Sequence, residues 1–329
     1  MLHGSRPAAP IEAKPTTDPN LDSDAFLRDV LAGLTVADKS LPCKYLYDAH
    51  GSQLFDAITE LDAYYPTRTE TAILTEHGSD MADAIGPRAR VIEYGSGSSV
   101  KTRLLLDALD QPASYVPLDI SAEHLTTSAE RLQAEYPDLP VSPVVADYTS
   151  DFQLPDVPGD RTLLFFPGST IGNFDPDEAR DFLASMRGVI GADGAGLIGV
   201  DLRKDAATLE RAYDDEEGVT AAFNRNLITR INRELDATLD PDGFVHRAVW
   251  NDQAGRVEMH LVSTRMQTAI VGSVSVAFRE GERIHTESSY KYSLDGFAQL
   301  AAQAGLLVDR VWTDADERFS VQLLSPADD

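Results

Sequence analysis

The chain has 329 residues, 43% of them hydrophobic, which is enough for one large domain or two modest ones with a real core. Its 54 acidic against 28 basic residues give a net charge of -26, so the surface repels nucleic-acid phosphates and anionic membranes, and neither is expected as a partner. Cys43 is the only cysteine, which excludes an intrachain disulfide and a multi-thiolate metal site, and no run of about 18 apolar residues exists to span a bilayer.

The opening MLHGSRPAAPIEAKPTTDPN lacks the apolar centre of a secretory signal and is rich in Pro, Ala and Thr. A disordered tail over 1–22 and a cytoplasmic location are expected from it. KYLYDAHGSQLFDAITELDAYYPTR (44–68) follows, dense in tyrosines that read first as core packing. From about 89 to 203, short apolar runs alternate with amphipathic helical ones, which predicts a parallel sheet with helices on both faces. The strands expected are RVIEY, SYVPLDI, VSPVVADY, TLLFFPG and GLIGVDL. Ser121 starts one helix between them, and Asp175, Pro176 and Glu178 supply cap, first-turn proline and third-position glutamate for another.

After Asp201 the rhythm changes to two helical stretches, AATLERAYDD and VTAAFNRNLITRINREL. In the second, Leu227, Ile228, Ile231 and Leu235 recur at helical spacing, which assigns the polar residues to an outer face. Strands such as HRAVWN, RVEMHLVS and SVSVAF then read as an antiparallel insert. A helix, LDGFAQLAAQAG, and a hairpin, LLVDRVWTDADERFSVQLLS, return the chain to the first sheet.

The first strand of that sheet ends in Glu93 and passes through Gly95 and Gly97 into a helix from about Lys101, a turn that brings backbone close to a nucleotide-like ligand. Asp119 ends the second strand 24 positions after Gly95, where a carboxylate can accept both ribose hydroxyls. A dinucleotide fingerprint wants a third glycine where Val100 stands, and Glu93 opposes a pyrophosphate while tolerating a cationic ligand. Asp147 and Tyr148 end the third strand, where an adenine amino group could meet an acceptor and a ring edge. The combination favours S-adenosylmethionine over NAD. Asn173, in FPGSTIGNFDPDEA after the fourth strand, falls at the carboxyl end of the sheet, where a substrate should lie. Glu287 and Ser289, two apart in HTESSYKY, share one face of a strand, functional or simply solvated. The seven histidines show no metal-ligand spacing, and no metal is expected.

Taken together, KYLYDAHGSQLFDAIT, YYPTRTE, EYGSGSSVKTRLLLDAL, GSTIGN, RAYDD, GVTAAFNRN, INREL and TESSYKY resemble the histidine-specific Nα-methyltransferases of ergothioneine biosynthesis, from about residue 25 to the end. The resemblance implies an α/β fold: a Rossmann-like class I S-adenosylmethionine methyltransferase core (69–203 plus 291–329) with a second, α+β substrate-binding domain (23–68 plus 204–290). It implies an enzyme that methylates the α-amino group of L-histidine to the trimethylated betaine, hercynine, with S-adenosylmethionine as methyl donor; a methyltransferase of the same build acting on another small amino acid or amine is the alternative, and a monomer is expected. The donor site would involve Gly95, Lys101, Asp119, Asp147 and Tyr148. By the same resemblance Asn173 and Tyr213 hold the backbone end of the amino acid, and Tyr64, Glu287 and Ser289 the imidazole. Tyr47 lines the amine side, joins Asn173 and Tyr213 as a catalytic residue, and is the candidate general base. Tyr94 and Tyr148 stand where the family more often has Leu and Phe.

Overall fold

The computed structural model describes residues 19–97, 100–150 and 152–327. Most of the tail expected over 1–22 lies outside the described residues, and helix α1 (Pro19–Leu34) begins within its last part. A two-residue strand β1 (Lys39–Ser40) and a 3-10 turn (Cys43–Leu46) lead to α2 (Ala49–Thr59) and α3 (Tyr65–Ile85). The Asp48 carboxylate caps α2 by accepting the Gly51 N–H at 2.7 Å, and Pro66 occupies the first turn of α3, where a missing N–H costs nothing.

The alternating region folds as β2 (Ala89–Tyr94), α4 (Val100–Ala108), β3 (Ser114–Asp119), α5 (Ala122–Glu135), β4 (Val144–Val145), β5 (Arg161–Phe166), α6 (Pro176–Ile190) and β6 (Ala195–Asp201). The insert contributes α7 (Ala206–Tyr213), α8 (Val219–Leu235), β7 (Phe244–Asn251), β8 (Arg256–Ser263), β9 (Gln267–Val271), β10 (Val274–Phe278) and β11 (Arg283–Tyr290). The chain ends in α9 (Leu294–Gln303) and the hairpin β12 (Leu306–Thr313) and β13 (Phe319–Pro326).

The main sheet has seven strands in the order β12-β13-β6-β5-β2-β3-β4. Strands β2 to β6 are parallel, and β13 runs antiparallel to both β6 and β12. The central strands read as continuous apolar runs because both faces are covered: Val91, Leu163 and Phe165 pack towards Met81 and Leu105, while Ile92, Leu164 and Phe166 pack towards Phe182 and Leu183. The third expected strand is reduced to Val144–Val145, since Pro143 carries no N–H for a ladder. The order reverses between β2 and β5, so the crevice above their carboxyl ends is where a ligand is received.

The insert, joined by β1 from the N-terminal segment, builds a second sheet, β1-β11-β8-β7, with β9 and β10 as a separate hairpin. Its core joins Phe26, Leu46, Leu227, Ile231, Phe244 and Met259. The outer-face reading of α8 needs correction: Asn224 and Asn226 are buried. Asn224 Nδ2 donates to His246 Nδ1 at 2.9 Å and to the His260 carbonyl at 3.2 Å, and Asn226 Nδ2 donates to Asp48 Oδ1 at 2.7 Å. These side chains pin neighbouring elements where period-3.6 counting alone assigns them to solvent.

Beyond β11 the chain meets the end of β6 directly: the Tyr292 N–H donates to the Asp201 carbonyl at 3.1 Å and the Arg203 N–H to the Tyr292 carbonyl at 3.0 Å. The Thr170–Asn173 turn lies against the same strand, with Gly172 so close that a Cβ there would stand 2.6 Å from the Tyr290 carbonyl oxygen. We expect Gly172→Ala to force these backbones apart and to cost about 1–3 kcal/mol, seen as a lowered midpoint of thermal unfolding.

Candidate active site

Above the switch point lies an open cleft of about 1190 Å³, and beneath it a recess of about 40 Å³; Tyr47, Phe55, Thr170, Asn173 and Glu287 line both. Gly95 and Gly97, at φ 69° and 40°, carry β2 into α4 through the left-handed region that favours glycine, and both line the cleft. Asp119 also lines it; burial raises its carboxyl above the ordinary range, while its Oδ1 accepts the Ser121 N–H at 2.8 Å. Asp147 Oδ1 accepts the Thr149 N–H at 2.9 Å, and the exposed Lys44 ammonium stands 3.9 Å from Oδ2. Tyr148 stacks on Tyr94 with ring centroids 5.2 Å apart and planes 2° apart, so the two tyrosines act as one platform at the cleft wall.

Two residues read from the glycine turn face elsewhere. Glu93 is buried beneath the turn, where it accepts from Thr102 Oγ1 at 2.8 Å and Tyr115 Oη at 2.6 Å; burial pushes its carboxyl up to about 8. It lines neither cavity. Lys101 lines neither cavity: its Nζ is 2.5 Å from Glu70 Oε2, and that fully buried carboxylate also accepts the Gly168 N–H at 2.8 Å. Lys101 and Glu70 thus tie the start of α4 to the loop that carries Asn173.

That loop is held at several points. Ser169, a non-glycine residue at φ 57°, accepts the Asp201 N–H on Oγ at 2.9 Å, which compensates for the strained backbone. Thr170 Oγ1 donates to the Pro167 carbonyl at 3.1 Å. Asn173 is thereby set at the mouth of the recess.

The recess is walled by aromatic rings. Tyr47 packs edge-on to Phe55 and Phe223 at 5.5 and 5.4 Å between centroids, and Tyr64 packs on Tyr213 at 5.9 Å. Burial, then the facing Glu287 carboxyl, holds the Tyr47 phenol well above its ordinary range, which argues against the base role expected for it. Tyr213 Oη is 2.8 Å from Ser289 Oγ. Glu287 and Ser289, two apart on β11, face the recess together, and the bulge between His285 and Glu287, where two residues oppose one on β8, sets the phase of the strand that carries them. Glu287 is 7% exposed, its Oε2 has no hydrogen-bond partner, and burial pushes its carboxyl up to about 7 although Lys291 opposes the rise.

Beneath this pair lies a buried charge cluster absent from the sequence reading. Lys291 Nζ is 2.6 Å from Asp201 Oδ2, both fully buried, and Asp201 also accepts from Tyr65 Oη at 2.7 Å and from Lys204 Nζ at 2.6 Å. Burial raises Asp201, but the two ammonium groups prevail and hold it below its ordinary range, while burial lowers Lys204 to about 8. Period-two counting from Glu287 through Ser289 reaches Lys291, so a signal for it existed. Phe55, Phe223 and Met259, which also line the recess, carried no signal beyond core hydrophobicity.

Among the described residues, no helix is long and apolar enough to cross a membrane, and no group of three or more His, Cys, Asp or Glu could hold a metal ion.

Residues 26–326 match the model of a family described as histidine-specific, S-adenosylmethionine-dependent methyltransferases. The chain is 44% identical to a histidine N-alpha-methyltransferase of Mycobacterium tuberculosis over 91% of its own length and 94% of that protein. It is 42% identical to the protein of the same name from Mycolicibacterium smegmatis, over 92% of this chain and 95% of that one. An ergothioneine biosynthesis protein 1 of Neurospora crassa is 32% identical over 87% of this chain, a match that takes in 33% of the larger fungal protein. With a seven-stranded, mainly parallel sheet, an acidic strand-end set at its switch point and a family match across nearly its whole length, the chain belongs to the histidine-specific, S-adenosylmethionine-dependent methyltransferases.

Proposed function

We propose that the protein methylates the α-amino group of L-histidine stepwise to the trimethylated betaine, the opening reaction of ergothioneine biosynthesis. The observation that carries this reading is the buried Glu287 Oε2, an acceptor without a partner, beside the Tyr213 and Ser289 hydroxyls in a recess walled by rings. An unmet buried acceptor costs about 1–3 kcal/mol, which a ligand N–H recovers on binding. In this reading residues 23–68 plus 204–290 form the substrate-binding domain, and 69–203 plus 291–329 the methyl-transfer core.

S-adenosylmethionine supplies a methyl group on a sulfonium, open to in-line displacement by an amine and needing no metal. The cleft suits it chemically: Asp119 and Asp147 present carboxylates at the ends of adjacent strands for ribose and adenine, Tyr148 presents a ring, and Gly95 brings backbone close. Lys101 stabilises this site indirectly, through Glu70, by fixing α4 against the Asn173 loop. Asn173 and Tyr213 hold the backbone end of histidine, while Glu287 accepts an imidazole N–H with Ser289 and Tyr64 beside it. Tyr47, Phe55 and Phe223 give the amine a cation-tolerant aromatic wall that suits a nitrogen gaining methyl groups. With the Tyr47 phenol held above its ordinary range, the substrate reacts as the free amine, its proton shed before methyl transfer.

Glu287→Ala should weaken histidine binding at least tenfold with little change in S-adenosylmethionine binding; calorimetry on both ligands checks this. Because the Glu287 carboxyl sits at about 7 and accepts an N–H more strongly as a carboxylate than as a neutral acid, histidine affinity should rise with pH through that value. In Glu287→Gln the rise should be shallower, leaving only the ring's own titration near about 6.5. Tyr47→Phe should leave the shape of the kcat–pH profile unchanged, whereas loss of its alkaline rise would restore Tyr47 as base. Asp119→Ala should raise KM for the methyl donor about tenfold or more, as expected for a lost charged hydrogen bond, with histidine binding retained in calorimetry.

A further inference from the structure

Lys291 lines neither cavity, yet its ammonium lies directly behind the recess. Its Nζ reaches Asp201 Oδ2 at 2.6 Å, Tyr213 Oη at 2.8 Å and Ser289 Oγ at 2.9 Å. An ammonium has three N–H donors and no acceptor, so these contacts use all of them. Asp201 is held in turn by Tyr65, Lys204 and, at its backbone N–H, by Ser169 Oγ, so the cation cannot swing to another partner.

The consequence falls on the hydroxyl pair. Tyr213 Oη and Ser289 Oγ lie 2.8 Å apart and carry two protons between them. One proton bridges the pair. The phenol, the stronger acid, gives the bridging proton, and since the ammonium already donates to both oxygens, the remaining Ser289 proton points away from it, into the recess that both residues line. Without the ammonium, either oxygen could turn a lone pair there instead. The donor so fixed and the unpartnered Glu287 Oε2 belong to the same recess. A fixed donor and a fixed acceptor in one recess match a ring with one N–H and one bare nitrogen, which is neutral imidazole.

We propose that Lys291, anchored on Asp201, is a positioning residue that turns the Tyr213–Ser289 hydroxyl pair into a donor towards the recess, so that the site receives the imidazole of histidine as a neutral ring. The proposal rests on the histidine reading above. Lys291 touches no reacting atom; it acts through the two hydroxyls.

The test is steady-state kinetics of the full chain with histidine and S-adenosylmethionine, with mass spectrometry of the products. If wild-type protein yields no methylated histidine, the substrate reading fails and the proposal with it. If it does, Lys291→Met should raise KM for histidine at least tenfold, lower kcat at saturating histidine less than threefold, and leave the affinity for the methyl donor unchanged. Lys291→Arg, which restores a cationic donor, should recover part of the loss. In a Tyr213→Phe/Ser289→Ala background the same Lys291→Met change should alter KM less than twofold, because the groups it acts through are gone. Should Lys291→Met fail to fold for want of a partner for Asp201, the Asp201→Asn/Lys291→Met pair removes both charges and carries the same comparison. A KM for histidine within twofold of wild type in a folded variant, or a full loss persisting in the background without the hydroxyls, overturns the proposal and leaves Lys291 a structural ion.

Discussion

The carboxylate of Asp201 is the point on which the site hangs. It ends the last parallel strand, and groups from four directions converge on it: Tyr65 from the start of α3, Lys204 just beyond the strand, Lys291 at the end of β11, and Ser169 at its backbone N–H. Two fully buried opposite charges each carry a desolvation penalty of several kcal/mol, which is offset only when the remaining lone pairs and protons find partners. That requirement dictates the surroundings. Removing one member of such a pair typically costs about 3–5 kcal/mol, so the parallel sheet and the insert cannot slide past each other while it is intact.

Two carboxyls in this neighbourhood are driven in opposite directions. Asp201, in contact with two ammonium groups, is held below its ordinary range despite complete burial. Glu287, with an oxygen that meets no donor, is raised to about 7. Burial is common to both, and the difference is direct contact with a cation. The first carboxyl is satisfied and structural; the second is kept short of a partner and faces a cavity, the condition in which a ligand N–H is worth most. One acid is thus locked into the fold by cations, while the other keeps an open acceptor toward the recess.

The donor side has a comparable division. Asp119 and Asp147 face the cleft, while Glu93, on the same sheet, is turned beneath it by Thr102 and Tyr115. Lys101, at the head of α4, is drawn to Glu70 and so braces the loop of Asn173. This salt bridge thus ties two elements of the parallel-sheet core to each other at the edge of the cleft.

The succession of strands and helices along the chain, the glycine turn, the acidic strand ends and the chain's return as a hairpin were legible in the sequence, because each depends on residues close together along the chain: periodicity, caps, turns and a carboxylate at a strand terminus. The clustering of Asn173, Tyr213, Glu287 and Ser289 was legible only through family likeness, since nothing local ties residues so far apart. What tertiary structure alone decided is which way ambiguous polar groups face. Asn224 and Asn226 turn inward, Glu93 and Lys101 turn from the cleft, and Lys291 comes to lie behind Tyr213 and Ser289. Each choice is set by a partner distant in sequence, and a buried polar group goes where its partner is, whatever the periodicity of its own element.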